Sequence, residues 1–229
     1  MDNDLIAANI AKVLQQVSSA QEKYQRPPDS VRVMAVSKTQ SAEAVRDAAA
    51  AGLTDFGENY LQEALEKIKS CADLALTWHF IGPIQSNKTR AIAEHFDWVH
   101  SVDREKILRR LSEQRDPSMA PLNLCIQVNV SGEDSKSGIT PRQLAPILAL
   151  ATQLPNIRLR GLMAIPAPAE DFGAQKAACD SLASLFEDAR KEHPTLDTLS
   201  IGMSADLEAA VAAGSTMVRI GTAIFGARR

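Results

Sequence analysis

Eight times along this chain a short apolar run is followed by a stretch of helical periodicity. That alternation restricts the fold more than any other feature of the sequence. An extra helix comes first: Ile6, Ile10, Val13, Leu14 and Val17 recur at helical spacing, and Pro27-Pro28 stops the run. Strands are then predicted over 31–37, 53–57, 76–81, 97–102, 122–130, 158–165, 196–201 and 216–220. The intervening helices are predicted over 41–51, 58–69, 86–95, 104–114, 141–154, 175–192 and 205–213. Ser41 opens the first of these and Gly52 closes it, while Gly214 closes the last. Strands alternating with helices imply a parallel sheet with helices outside it. Eight such units in 229 residues predict an α/β fold, a single (β/α)8 TIM barrel with an extra N-terminal helix. An open doubly wound sheet would show fewer strands and a glycine fingerprint after the first. Here the first turn reads Ser37-Lys38-Thr39-Gln40. No linker or composition break divides the chain, so residues 1–229 are expected to form one domain.

Charge and composition narrow the function. A net charge of -3 is not the strongly basic balance of a nucleic-acid binder. No apolar run approaches the roughly 18 residues of a membrane span. The start, Met1-Asp2-Asn3-Asp4, is acidic rather than the basic start of a secretory signal, and a cytoplasmic protein is expected. Cys71, Cys125 and Cys179 are far apart and odd in number, which suggests neither a disulfide framework nor a clustered zinc site. Buried, unreactive thiols are the expectation.

A barrel of this kind uses the loops after its strands as the ligand face. The predicted strand ends there hold Ser37-Lys38, Gly57-Glu58-Asn59, His79 to Gly82, Gln127-Val128-Asn129, Gly161 to Ala164, Gly202-Met203-Ser204 and Arg219 to Ala223. Gly221-Thr222-Ala223 follows an apolar strand, and its backbone amides suit an anion. Barrels often seat a phosphate between the loops after strands seven and eight. Ser204 would open the helix after strand seven. It reads as a phosphate ligand or, more commonly for this pattern, as a plain N-cap. Lys38, at the tip of the first strand, suits a Schiff base with an aldehyde, although a lysine so placed is more often a solvated loop residue. Alternation along Met217-Val218-Arg219-Ile220 sends Arg219 into the barrel. There it needs an acceptor, either an interior carboxylate or a ligand atom.

These segments carry a resemblance. Ala35-Val36-Ser37-Lys38-Thr39, Phe56-Gly57-Glu58-Asn59-Tyr60-Leu61-Gln62-Glu63 and the run from Trp78 to Lys88 resemble the pyridoxal phosphate homeostasis protein family, also called the YggS/PROSC family. So do Gln127-Val128-Asn129, Ser135-Lys136-Ser137-Gly138, Gly161 to Ile165, Gly202 to Ala210 and Val218 to Gly226, in family order over nearly the whole chain. The family is similar to the barrel domain of alanine racemases. The resemblance implies pyridoxal 5′-phosphate as cofactor, held on Lys38 as a Schiff base. It implies a phosphate cradle of Ser204, Gly221 and Thr222, with Arg219 at the pyridine nitrogen and Asn59, His79 and Met163 lining the ring. Storage, buffering or delivery of the cofactor is the implied role, with apo enzymes as partners and a monomeric state. The chain departs from the family at its end: Arg228-Arg229 close it where an acidic residue, a tyrosine and a basic tail are usual.

A small racemase or lyase of amino acids is the alternative. It would need acid–base groups on both faces of the ring. Lys38 serves one face, and no tyrosine is placed for the other. His79 is the obvious substitute, although a satisfied interior histidine is the commoner case. An arginine beside the ring nitrogen disfavours its protonation, which makes the ring a poorer electron sink. A barrel enzyme for another phosphorylated metabolite would use the same glycine loops without needing Lys38. The polar stretch 131–138 is expected to act as a lid, with Lys136 in it either accepting the aldehyde transiently or simply solvated.

Overall fold

A computed structural model describes residues 3–132 and 137–226. Eight strands close into a parallel barrel in chain order. They are β1 Arg32–Val36, β2 Asp55–Glu58, β3 Thr77–Phe80, β4 Trp98–Val102, β5 Leu122–Gln127, β6 Ile157–Met163, β7 Thr198–Ser200 and β8 Met217–Ile220. β8 returns to pair with β1, Ile220 opposite Ala35. The helices are α1 Asn3–Lys23, α2 Ala42–Ala50, α3 Leu61–Ser70, α4 Thr89–His95, α5 Glu105–Gln114, α6 Leu144–Ala151, α7 Phe172–Glu192, α8 Leu207–Ala212 and α9 Thr222–Phe225. Among the described residues no helix is long and apolar enough to cross a membrane.

The period of two in each strand sorts its side chains. Val33, Ala35, Phe56, Phe80, Leu124, Ile126, Leu199, Val218 and Ile220 belong to the apolar layer between strands and helices. In that layer α5 is the clearest amphipathic case: Ile107, Leu108 and Leu111 are buried while the charged residues between them face out. Each such side chain contributes about 1.5–3 kcal/mol of burial. α1 packs against α2, α8 and α9, covering the wall where the barrel closes.

The other face of the strands fills the barrel. Its lower end, at the strand starts, is plugged. Trp98 lies between the Arg32 and Arg160 guanidinium groups, 5.2 and 4.5 Å from its ring centre. Arg160 is fixed in turn by Asp197 and by Asn123 Oδ1 at 2.8 Å. Cation–π contact and ion pairing thus close the end away from the loops.

Several element boundaries differ from the periodicity. The predicted helix over 58–69 starts at Leu61, because Glu58 still pairs with Phe80 in the sheet. α4 starts at Thr89 rather than 86, with the Thr89 hydroxyl donating back to Ser86 O. β5 ends at Gln127, and beyond it Val128 makes a lone bridge to Ile139. The stretch 141–154 divides into a 3-10 turn, Pro141–Gln143, and α6. α7 begins three residues before 175, since Asp171 caps it by accepting the Ala174 N–H at 2.9 Å. α9 follows β8 after Gly221 and lies beyond the last of the predicted helices, in chain that the sequence leaves able to turn helical.

Close packing of strands leaves no room at Gly161. A Cβ built there would sit 1.7 Å from the Thr198 carbonyl oxygen on β7. Gly161→Ala must therefore push β6 and β7 apart, and we expect a loss of about 3 kcal/mol, measured as a fall in the urea midpoint. An unchanged midpoint would show that this contact is slack.

Candidate functional site

Parallel closure brings all eight strand ends to one rim, whatever their separation in the chain. Lys38 stands there, half-buried, one residue beyond the buried Ser37. Gly221 meets the end of β1 across the β1–β8 junction, two residues before Lys38: a Cβ on Gly221 would lie 3.4 Å from Val36 O. Gly221 is the N-cap of α9, whose first residue is Thr222, so the Thr222 and Ala223 N–H groups precede the first helical hydrogen bond, which the Ile224 N–H makes to Gly221 O at 3.0 Å. Asn59 follows β2 directly, and its Oδ1 is buried with no hydrogen-bond partner among the described residues. Met163 ends β6, fully buried against Trp98 and Cys125 inside the barrel.

Ser204 is not the N-cap of α8. That position belongs to Asp206, whose Oδ1 accepts the Met203 N–H at 2.6 Å and holds residues 204–206 in a turn ahead of the helix. Ser204 itself is exposed, on a cavity of about 560 Å³ shared with Lys12 and Lys23 of α1 and Glu208 of α8. Lys136 and half of the expected lid, 133–136, lie outside the described residues, as does Arg228-Arg229.

Arg219 points into the barrel, 4% exposed, as its place in β8 requires. The interior carboxylate offered as its acceptor is not among the hydrogen-bond partners it has in the described residues. Nη1 donates to Ser200 O at 2.6 Å and to Ser200 Oγ at 3.0 Å, and Nη2 donates to Ala164 O at 2.8 Å. Burial pulls its pKa down to about 10, which still leaves a cation at neutral pH.

From Ser200 a chain of hydrogen bonds crosses the interior. Ser200 Oγ meets His100 Nδ1 at 3.0 Å, His100 Nε2 meets His79 Nδ1 at 3.0 Å, and His79 Nε2 meets Asp55 Oδ1 at 2.9 Å. Burial works against ionising Asp55, but the His79 hydrogen bond, followed by the nearby positive charge of Arg32, outweighs it and holds the carboxyl below its usual range. An ionised Asp55 accepts, so His79 Nε2 carries hydrogen. With neutral rings, the remaining bonds can be satisfied in one order alone. His100 Nε2 donates to His79, and Ser200 donates to His100. Every donor from Arg219 to Asp55 then points the same way, away from the rim. His79 is thus a satisfied interior histidine, stacked 5.5 Å from Trp98.

Three members of this chain, Asp55, His100 and Ser200, were missed in the sequence. The alternation that places Arg219 inside β8 was available for each: Asp55 alternates with Phe56, His100 with Val99, and Ser200 with Leu199. The cysteines are buried and free, with burial pushing the thiols of Cys125 and Cys179 up to about 12.

Known proteins share this architecture. A family profile described as alanine racemase, N-terminal domain, matches residues 3–229. The chain is 61% identical over 223 residues to the pyridoxal phosphate homeostasis protein of Pseudomonas aeruginosa, covering 97% of this chain and 96% of that one. It is 51% identical over 226 residues to the protein of the same name from Escherichia coli K12, covering 97% of each. Among solved structures, PipY of Synechococcus elongatus with PLP bound is 38% identical at a TM-score of 0.84, over 96% of this chain and 100% of that one. Alanine racemase of Corynebacterium glutamicum shares the fold at 17% identity and a TM-score of 0.74, over 100% of this chain and 62% of that one.

The buried histidines generate a pH dependence. Burial lowers both pKa values from the ordinary 6.5, His100 further because His79 and Arg219 add to the effect and no carboxylate opposes it. In the unfolded chain both rings titrate near the ordinary value, so there the unfolded state binds more protons. Their stabilisation is therefore complete above that value and is lost as pH falls toward the folded pKa values. Between about pH 7.5 and about pH 5.5 the free energy of unfolding should fall, by at most about 1.4 kcal/mol per pH unit for each ring. Urea titrations of the wild type and of His100→Gln test this: the variant should show a shallower slope, and equal slopes would remove His100 from the account.

Proposed function

The chain belongs to the pyridoxal phosphate homeostasis proteins, within the alanine racemase N-terminal-domain family, and from that membership we propose that it binds pyridoxal 5′-phosphate and stores, buffers or delivers it. The observation that carries this reading is Lys38, two residues beyond Val36, which meets Gly221 at the junction where β8 closes on β1. Two further features fit the cofactor. Asn59 keeps a buried oxygen without a partner, and Arg219 is a buried cation with no carboxylate bonded to it.

When bound, the cofactor supplies an aldehyde and an electron-accepting ring. Lys38 would hold it through its amine, as a Schiff base to the aldehyde. Gly221 and Thr222 would hold the phosphate through the amides that open α9, with Ser204 adding a hydroxyl from the turn before α8. Arg219 would serve the ring nitrogen and, as a cation, oppose its protonation. Asn59, His79 and Met163 would line the ring.

Holding is favoured over turnover by the interior chain. His79 would have to supply the proton transfer opposite Lys38, yet both of its nitrogens are engaged, with His100 and Asp55. The free aldehyde reacts with cellular amines, so a reversible imine in an open-rimmed barrel protects the cofactor and releases it to apo enzymes that need it.

Lys38→Ala should abolish the visible absorbance band on addition of pyridoxal phosphate while leaving the fold intact, checked by a cooperative urea transition. A borohydride-reduced adduct mapping to another lysine would refute the assignment of Lys38. The loaded protein, mixed with an apo pyridoxal-phosphate enzyme, should restore activity that a Lys38-reduced form does not. Failure would remove delivery and leave storage, whereas robust racemisation or elimination of an amino acid would overturn the holding role. Charge-assisted bonds to the phosphate contribute about 1.5–3 kcal/mol each. Pyridoxal should therefore bind at least tenfold more weakly than its phosphate, and equal affinities would rule out the cradle.

A further inference from the structure

A second buried polar cluster lies in the wall of the barrel, between α3 and the turn that carries Lys38. Ser37 to Gln40 form a tight turn, closed by the Gln40 N–H on Ser37 O at 3.0 Å. Lys38 is its first central residue and Thr39 its second, with φ at 66°. A turn with positive φ at the second central position ordinarily places glycine there, and a β-branched threonine is strained in that conformation. Something outside the turn must hold it.

Three charged side chains do so. Glu63 Oε1 accepts the Thr39 N–H at 2.6 Å, on the strained residue itself. Lys67 Nζ donates to Ser37 O at 2.6 Å and to Glu58 Oε1 at 2.8 Å, and also reaches Glu63 Oε1. Glu58 Oε1 takes the Ser37 hydroxyl at 2.6 Å. Glu58 and Lys67 are buried, 0% and 4% exposed, in a setting where an ion pair gives little net stability over apolar packing. Stapling α3 to the sheet alone would not require such a cluster. Its bonds to the turn fall on the residue before Lys38 and the residue after it.

We propose that Glu63, Lys67 and Glu58 are positioning residues for Lys38, fixing the turn so that the lysine amine leaves it in the direction of the bound aldehyde. This rests on the reading that Lys38 carries the cofactor. In this role the three act through the backbone and hydroxyl of the turn, at Ser37 and Thr39. They act by preventing the turn from relaxing out of the left-handed conformation at Thr39, which would redirect the preceding side chain.

The test follows the appearance of the visible imine band when full-length apo protein is mixed with pyridoxal phosphate, with a urea titration of each variant alongside. Glu63 is the useful site, because its side chain is 31% exposed and its loss leaves the Lys67–Glu58 pair in place. Glu63→Ala should slow imine formation on the order of ten- to a hundredfold, the cost of a misdirected reacting group, with the urea midpoint nearly unchanged. Glu63→Gln retains an oxygen for the Thr39 N–H and should recover most of the rate. Thr39→Gly in the Glu63→Ala background relieves the strain and should recover part of it. A wild-type rate in Glu63→Ala, or a slow rate that neither change restores, would overturn the proposal. Mass mapping of the borohydride-reduced wild type separates the two levels. An adduct on another lysine would sink the Lys38 reading and this one with it, while an adduct on Lys38 with Glu63→Ala unaffected would sink the positioning role alone.

Discussion

A guanidinium enclosed in a parallel barrel cannot stay there without acceptors, and much of the interior is organised around that requirement at Arg219. An adjacent carboxylate would be the simple solution. The protein instead uses two carbonyl oxygens and a hydroxyl, with the negative charge at the far end of the chain through Ser200, His100 and His79 to Asp55. No carboxylate hydrogen-bonds the guanidinium among the described residues, although the charge of Asp206 is near enough to favour the cation. The arrangement also settles the protonation of two histidines: each ring must accept on Nδ1 and donate on Nε2.

The two polar systems that flank the strand ends of β1 and β2 do not share a residue. One fills the barrel and is built from strand residues facing inward. The other sits in the wall and joins α3 to the first βα turn. Glu58 and Asp55 show how they are kept apart. They lie three positions apart on β2, so alternation sends Asp55 inward to His79 and Glu58 outward to Lys67. A one-residue slip of β2 would exchange the two carboxylates between systems and dismantle both.

The barrel was legible because its signal is repeated eight times and each repeat is apolar on the face that packs against helices. Lys38, Asn59, Gly221 and Arg219 were legible as strand-end or alternating positions. Failures came where local chemistry competes with periodicity. Ser204 has the profile of an N-cap, but Asp206 lies two residues on and takes the Met203 N–H. Phe172-Gly173 reads as loop after a proline-rich stretch, yet Asp171 nucleates a helix there. Asp55, His100 and Ser200 were missed for another reason: a polar residue between apolar neighbours shows which way it faces, but not what it meets. Nothing local in the sequence ties His79 to His100, 21 residues on, or His100 to Ser200, 100 residues further.

The Trp98 plug has a bearing on traffic. With Arg32 and Arg160 over its indole, side chains cover the lower end of the barrel, and Lys38 stands at the other. A ligand at the rim would then arrive and depart by the same face, and the longer it stayed the longer that face would be closed to the next.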